Sequence, residues 1–173
     1  FPGANVISAN ELRRVAKLAE GKPYVPSRDA DAAGEIRKAY SRRGYDEATV
    51  TPRPGTPDVE GRVPLAFEIV EGPAYRLGEI TVRGNTKTSA KKILSIGDER
   101  PGKPLDRVQL AEHQSHLSRL GVFDTVSVTS SPVPGSSPPA KSVLVDVVER
   151  STQYAEYGFD INTQRGLELA GTL

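Results

Sequence analysis

The sequence predicts an α+β fold built from two copies of one small module, each running strand, helix, helix, strand, strand, with a tail of alternating character behind them. Three observations carry this. Short segments recur in order: Gly21-Lys22-Pro23 as Gly102-Lys103-Pro104 (offset 81), Ser41-Arg42-Arg43-Gly44 as Ser118-Arg119-Leu120-Gly121 (offset 77), and Val63 to Glu71 as Lys141 to Glu149 (offset 78). Within each copy the apolar spacing switches from a helical to a two-residue period. The small insertions between copies fall where Gly, Pro and Ser mark loops.

The composition narrows what such a chain does. Its 173 residues divide into modules of roughly 75 residues each, near the lower limit for an independent core. Lys and Arg total 23 against 22 Asp and Glu, so the basic excess needed to neutralise nucleic-acid phosphates is missing. Without cysteine there is no disulfide framework, thiolate zinc site or cysteine nucleophile. Methionine is absent too, so Phe1 is not a translational start and the sequence reads as a piece of a longer chain. No apolar run reaches the ~18 residues of a membrane helix, which leaves open a membrane β-strand, whose signal is alternation alone.

In the first copy, Phe1-Pro2-Gly3-Ala4-Asn5 reads as a strand end with its Gly/Asn stop, so most of that strand is expected upstream. Ser8 with Glu11 fits a capping box, with Asn10 as the rival cap. Leu12, Val15, Ala16 and Ala19 share a helical face, and Gly21 followed by Pro23 is expected to end it. A second helix is predicted from about Arg28 to Arg43, with Ala33, Ile36 and Tyr40 buried and Gly44 as the stop. Ala48 and Val50 alternate with Glu47, Thr49 and Thr51 in a short strand whose ladder Pro52 and Pro54 should end, as suits a sheet edge. Pro54 to Asp58 is turn chemistry. Leu65, Phe67 and Ile69 then line one face of the next strand.

The second copy opens on the clearest stretch, Tyr75 to Ile93. Ile80 and Val82 alternate with Thr81 and Arg83, Gly84-Asn85 tolerates positive φ, and Thr88 is expected to cap a short helix from Ser89 to Leu94. A longer helix follows from about Leu105 to Leu120, its buried face marked by Leu110, Leu117 and Leu120. Val126 and Val128 form the next strand, Ser131 to Lys141 a loop, and Val143, Val145 and Val147 the closing strand. In the tail, Ala155, Tyr157, Phe159 and Ile161 alternate with Glu156, Gly158, Asp160 and Asn162. After a turn through Thr163 to Gly166, Leu167, Leu169 and Gly171 alternate with Glu168, Ala170 and Thr172. A barrel strand with lipid on one side needs this pattern, and an extra hairpin packed on the second copy is the alternative.

The run Tyr75-Arg76-Leu77-Gly78-Glu79-Ile80-Thr81-Val82-Arg83-Gly84-Asn85-Thr86, then Pro101-Gly102, then Leu120-Gly121-Val122-Phe123-Asp124-Thr125-Val126-Ser127-Val128 and Val147-Val148-Glu149, resembles a POTRA domain. Such domains are the periplasmic modules of outer-membrane assembly proteins of the BamA and TamA type. The resemblance covers both copies. The first departs from it where Ala4 separates Gly3 from Asn5 and where Asp46 takes the place of Phe123.

The resemblance implies two tandem POTRA domains at 1–74 and 75–150, each a three-stranded mixed sheet with two helices on one face, and at 151–173 the first hairpin of an outer-membrane β-barrel. It implies an outer-membrane protein whose part seen here is mainly periplasmic. It further implies a non-enzymatic scaffold without cofactor, metal or nucleic acid, which meets unfolded outer-membrane proteins, assembly lipoproteins or an inner-membrane partner. Pairing of a client strand with a sheet edge would give affinity with little dependence on sequence. The candidate edges are Thr125, Val126, Ser127, Val128 and Thr129, and in the first copy Ala48, Thr49, Val50 and Thr51. A two-partner secretion translocator and an envelope or divisome interaction protein are the competing readings.

Other features carry less. His113 and His116 stand i, i+3 on one helix without a third metal ligand nearby, and His113 falls on the buried stripe where the first copy has Ile36, with His116 toward solvent. Lys91-Lys92 and Arg42-Arg43 read as solvated helix faces. Ser8, Thr88 and Ser115 lack nucleophile partners, and no Gly-x-Ser-x-Gly, phosphate loop, dinucleotide fingerprint or KH-type Gly-x-x-Gly clamp is placed to act. Gly72-Pro73 within the short link from Val70 to Arg76 predicts restricted hinge motion.

Overall fold

The computed structural model describes residues 1–18, 20–21, 24–151, 157–162 and 166–171, the last two spans by backbone alone. In the first copy, the Ser8 hydroxyl accepts from the Glu11 amide at 3.3 Å and starts α1 (Ala9–Ala16). Only half of a capping box forms, because the Glu11 carboxylate turns away to Arg43 at 2.7 Å. The helix also stops before the predicted Gly21: Lys17 takes the left-handed conformation (φ 52) and ends it there. Leu12 and Ala16 are buried as expected, while Ala19 and Pro23 lie outside the described residues.

Helix α2 (Ser27–Ser41) buries Ala33, Ile36 and Tyr40, joined by Ala32 and Ala39. Gly44 at φ 90 closes it in a Schellman turn, with the Tyr45 amide donating to the Tyr40 carbonyl at 3.1 Å and the Gly44 amide to Ser41 at 2.9 Å. The first-copy sheet differs from expectation: among the described residues it has two strands, not three. Strand β1 spans Thr49–Pro54, so Ala48 precedes it and the two prolines lie within it. It pairs antiparallel with β2 (Leu65–Val70) in the register Val50↔Ile69, Pro52↔Phe67 and Pro54↔Leu65.

The prolines fit because of parity. The Gly55 amide donates to the Pro64 carbonyl at 2.7 Å, so odd residues of β1 face β2 with their backbone groups and even ones face outward. Pro52 and Pro54 thus lack an N–H only where the ladder requires none. On the other side of β2, the Ile69 amide donates to the Pro2 carbonyl at 2.9 Å, and the Phe1 ring stacks on Phe67 with centroids 5.8 Å apart.

The second copy contains β3 (Arg76–Arg83), α3 (Ala90–Leu94), α4 (Arg107–Arg119), β4 (Phe123–Pro132) and β5 (Ala140–Glu149). The sheet order is β3-β5-β4, with β3 parallel and β4 antiparallel to the central β5. It is the expected three-stranded mixed sheet. Leu77 pairs with Lys141 but Ile80 with Val143, so β3 carries one extra residue at Gly78-Glu79. That bulge lets Leu77 and Ile80, three positions apart, both reach the core.

Three expectations here need correction. Ser89, not Thr88, caps α3 by accepting from the Lys92 amide, while the Thr88 amide is held by Glu149 at 2.7 Å. Leu120 is 51% exposed, because it follows the last turn of α4, and the buried stripe runs Leu110, His113, Leu117. The predicted loop from Ser131 to Lys141 shrinks to 133–139, since both strands extend into it.

Each copy has its own core, Leu12, Ile36, Tyr40, Phe67 and Ile69 in one, and Ile93, Leu105, Leu117, Val145 and Val147 in the other. One close approach repeats in both. A Cβ on Gly3 would lie 2.0 Å from the Ile69 carbonyl oxygen, and one on Gly84 2.0 Å from that of Val147. Both glycines have positive φ, and both precede a loop tied to a glutamate at the end of the closing strand. Glu71 accepts from the Asn5 and Val6 amides at 2.7 and 2.8 Å, and Glu149 from the Lys87 and Thr88 amides, each at 2.7 Å.

In the tail, β6 (Tyr157–Asn162) and β7 (Gly166–Gly171) pair antiparallel, Tyr157 opposite Gly171 and Asn162 opposite Gly166. Of the predicted turn from Thr163 to Gly166, Gly166 begins β7, and 163–165 lie outside the described residues, as do 154–156 and 172–173. Among the described residues no helix is long and apolar enough to cross a membrane.

Candidate functional site

The candidate site is a sheet edge, so its chemistry is that of unpaired backbone groups. Strand β4 ends the order β3-β5-β4. The Val133 amide donates to the Ala140 carbonyl at 2.9 Å, and the register continues unbroken from Pro132↔Lys141 to Thr125↔Val148. Residues 125, 127, 129 and 131 therefore turn their N–H and C=O toward β5, and Val126, Val128 and Ser130 turn theirs outward.

The side chains alternate the other way. Val126 is buried against the helices and Val128 half-buried, whereas Thr125 and Thr129 are exposed on the helix-free face. Of the five predicted edge residues, Val126 and Val128 carry the outward backbone groups, and Thr125, Ser127 and Thr129 flank them with polar side chains. Ser130, the next outward position, was missed by the hydrophobic pattern, although strand parity and the absence of proline there point to it.

Both ends of the open stretch are closed. Gln114 of α4 donates its side-chain amide to the Val126 carbonyl at 3.1 Å, and Pro132 has no N–H to offer. Below Thr125, the register shift at Asp124 breaks the ladder, with Asp124 pairing to Arg150 at 2.8 Å. What remains is three donors, at Val126, Val128 and Ser130, and three acceptors, at Val128, Ser130 and Pro132.

The first-copy edge is poorer. Its outward positions are Val50, Pro52 and Pro54, so Val50 alone offers a donor. Thr49 and Thr51 face β2 with their backbones, and Ala48, whose amide donates to the Tyr45 carbonyl at 3.3 Å, belongs to a turn. The outer edge of β3 is covered at its start, where Leu77 exchanges hydrogen bonds with Lys103 (2.8 Å) and Gly102 (2.7 Å).

The histidines separate as predicted, His116 exposed and His113 buried. His113 Nε2 meets the Ile93 carbonyl at 3.0 Å, and Nδ1 lies 3.1 Å from the Glu99 carboxylate, an ion-pair distance without hydrogen-bond alignment. Contact with Glu99 raises the His113 pKa against the opposing effect of burial. Among the described residues no group of three or more His, Asp or Glu is placed to hold a metal ion. Arg42 is exposed, and Arg43 is bound by Glu11.

The family model of POTRA, described as the surface antigen variable number repeat, matches residues 1–72 and again 75–150. The chain belongs to the POTRA family. Over 137 residues it is 26% identical to the outer membrane protein assembly factor BamA of Neorickettsia risticii (strain Illinois), a match that takes in 76% of this chain and 18% of that relative. The chain thus spans under a fifth of the length of that curated relative.

Two solved structures share the POTRA fold seen here. BamA from Haemophilus ducreyi lacking POTRA domains 1–3 aligns with a TM-score of 0.75 at 21% identity, covering 91% of this chain and 30% of that one. POTRA domains 3–5 of Haemophilus influenzae BamA align with a TM-score of 0.62 at 23% identity, covering 82% and 56%.

Proposed function

We propose that this chain is the periplasmic POTRA portion of an outer-membrane protein and takes part in outer-membrane protein assembly. In this reading, domains at 1–74 and 75–150 form a non-enzymatic scaffold, and 151–173 begins the barrel. A client's extended segment adds to the edge of β4 and pairs with Val128 and Ser130, its partners being unfolded outer-membrane proteins. The observation that carries this is the row of outward donors and acceptors on β4, set against an edge on β1 with one donor. Backbone pairing reads little of a client's sequence, which suits a receptor for many clients.

The test is photocrosslinking from probes at Thr125, Ser127 and Thr129, with His116 on the solvent-exposed side of α4 as control. Labelling of an unfolded outer-membrane protein should be several-fold higher at the edge. It should fall to the control level in Ser130→Pro, which removes an outward N–H without touching the bonds to β5. Equal labelling at Thr129 and His116 would remove the edge from consideration.

A further inference from the structure

Among the positions where the internal repeat exchanges an apolar residue for a charge, two belong together. Asp46 stands where the second copy has Phe123 (offset 77), and Lys141 where the first has Val63 (offset 78). In the folded chain the two meet. Lys141 Nζ donates to Asp46 at 2.7 Å and to Glu47 at 3.0 Å, joining the end of the first-copy turn to the start of β5.

The Lys141–Asp46 pair is out of water, while Glu47 stays half-exposed. The Lys141 and Asp46 side chains are 8% and 2% exposed. The ammonium also lies 4.1 Å from the centre of the Tyr75 ring, whose hydroxyl donates to Glu47 at 3.0 Å. Arg107, at the start of α4, reaches the other Asp46 oxygen at 3.2 Å. Burial pushes the Lys141 pKa down, but the hydrogen bonds that the ammonium donates to the two carboxylates outweigh it and leave it raised. A lysine buried this far without its carboxylates would be strongly unfavourable.

The backbone runs through the same joint. The Tyr75 amide donates to the Gly44 carbonyl at 2.8 Å, and the Tyr75 carbonyl accepts from the Leu105 amide at 3.0 Å. A Cβ on Gly44 would stand 2.5 Å from that Tyr75 oxygen, so the two copies touch here at backbone distance. The corresponding Gly121 has nothing within 4 Å. The same turn is therefore a filled joint in the first copy and an open tip in the second.

We propose that Lys141, Asp46 and Glu47 form a clasp that holds the two POTRA copies in one mutual orientation, so that they move as a single body. The link from Val70 to Tyr75 supplies connectivity, and the clasp supplies the angle. Directed hydrogen bonds to a buried ammonium are intolerant of rotation, whereas an apolar contact of the same size lets the surfaces slide. Lys141 and Asp46 are thus positioning residues for whatever surface the pair presents.

The chain has no cysteine, so spin labels placed through Lys38→Cys on α2 and Ser115→Cys on α4 report the distance between copies in the full chain. The expected result is one narrow distance distribution, broadened in Lys141→Met and in Asp46→Asn, with the double variant no broader than either single one. The reversed pair Asp46→Lys with Lys141→Asp should narrow it again. A role confined to packing within β5 would leave the distribution narrow in Asp46→Asn and would not be rescued by reversal. Asp46→Asn keeps the shape of the side chain, so it decides the matter even if Lys141→Met disturbs folding by circular dichroism. An unchanged distribution in a folded Asp46→Asn overturns the clasp, and it does so whether or not β4 binds clients.

Discussion

At one place in the core the two copies make opposite choices. Ala16, Leu18 and Ile36 of the first copy correspond to Gly97, Glu99 and His113 of the second (offsets 81, 81 and 77). The first fills the space between its helices with hydrocarbon, and Ile36 is fully buried. The second fills it with a histidine and a carboxylate whose side chains are 2% and 4% exposed. Gly97 makes room, since a Cβ there would lie 1.8 Å from a Glu99 oxygen. The comparison teaches that the backbone of this fold does not require a polar pair at that site. Whatever the pair contributes is local to the second copy.

Exchanging the two solutions should give the largest effect. His113→Ile alone leaves Glu99 buried without its partner and should destabilise the chain by about 3–5 kcal/mol in urea unfolding. Gly97→Ala, Glu99→Leu and His113→Ile together install the first copy's residues and should restore the loss or add about 1–4 kcal/mol. The pH dependence has a definite sign. The His113 pKa is raised above its ordinary 6.5, so its stabilisation is complete below that value and fades as pH rises through the folded value. The triple variant should lose this slope. A triple variant as unstable as the single one would mean that the first copy's solution does not transfer.

Next come the strand-end carboxylates, which the copies share. Glu149 is held down to about 2 by the Thr86 hydroxyl first and then by the Lys87 and Thr88 amides. Its stabilisation is present above the ordinary 4.5 and is lost as pH falls toward 2. Glu149→Gln should therefore lower the urea midpoint at pH 7 and make little difference near pH 2. Glu71→Gln should act in the same direction over a narrower window, because burial there opposes the hydrogen bonds from the Val6 and Asn5 amides and the Tyr40 hydroxyl. Unchanged midpoints in both variants would show that neither loop depends on its carboxylate.

The smallest effect is expected at the helix end. Leu120 corresponds to Arg43 (offset 77), and its 51% exposure predicts that Leu120→Arg changes stability by no more than about 0.5 kcal/mol. Leu117→Ala, in the core one turn earlier, should cost about 2–5 kcal/mol. A loss of comparable size at Leu120 would mean that the open tip is covered in solution.

Much of this was legible in the chain. The spacing of Ala33, Ile36 and Tyr40 marked α2, and the alternation of Val143, Val145 and Val147 marked β5, because burial of one face imposes its period on the residues. The candidate edge was legible only in part. Thr125 to Thr129 falls within β4, but alternation of side chains says nothing about which residues of an edge point their amides outward until the partner strand is known. The apolar character of Ala48 places it in β1 and the missing N–H of the prolines places them outside it, yet at an edge an outward proline costs no ladder bond. The helical spacing of Leu120 from Leu117 predicts a core position, but the helix ends before that spacing takes effect.

Local chemistry thus sufficed for the repeat, the helix and strand periods, the serine cap of α1 and the glycine stop of α2, since each depends on residues a few positions apart. The bulge at Gly78, the outward parity of β4 and the meeting of Asp46 with Lys141, 95 residues away in sequence, depend on which strands and turns become neighbours in space. A charged residue in place of an apolar one is visible in the sequence as an anomaly. Its partner becomes visible only when packing has removed water from both.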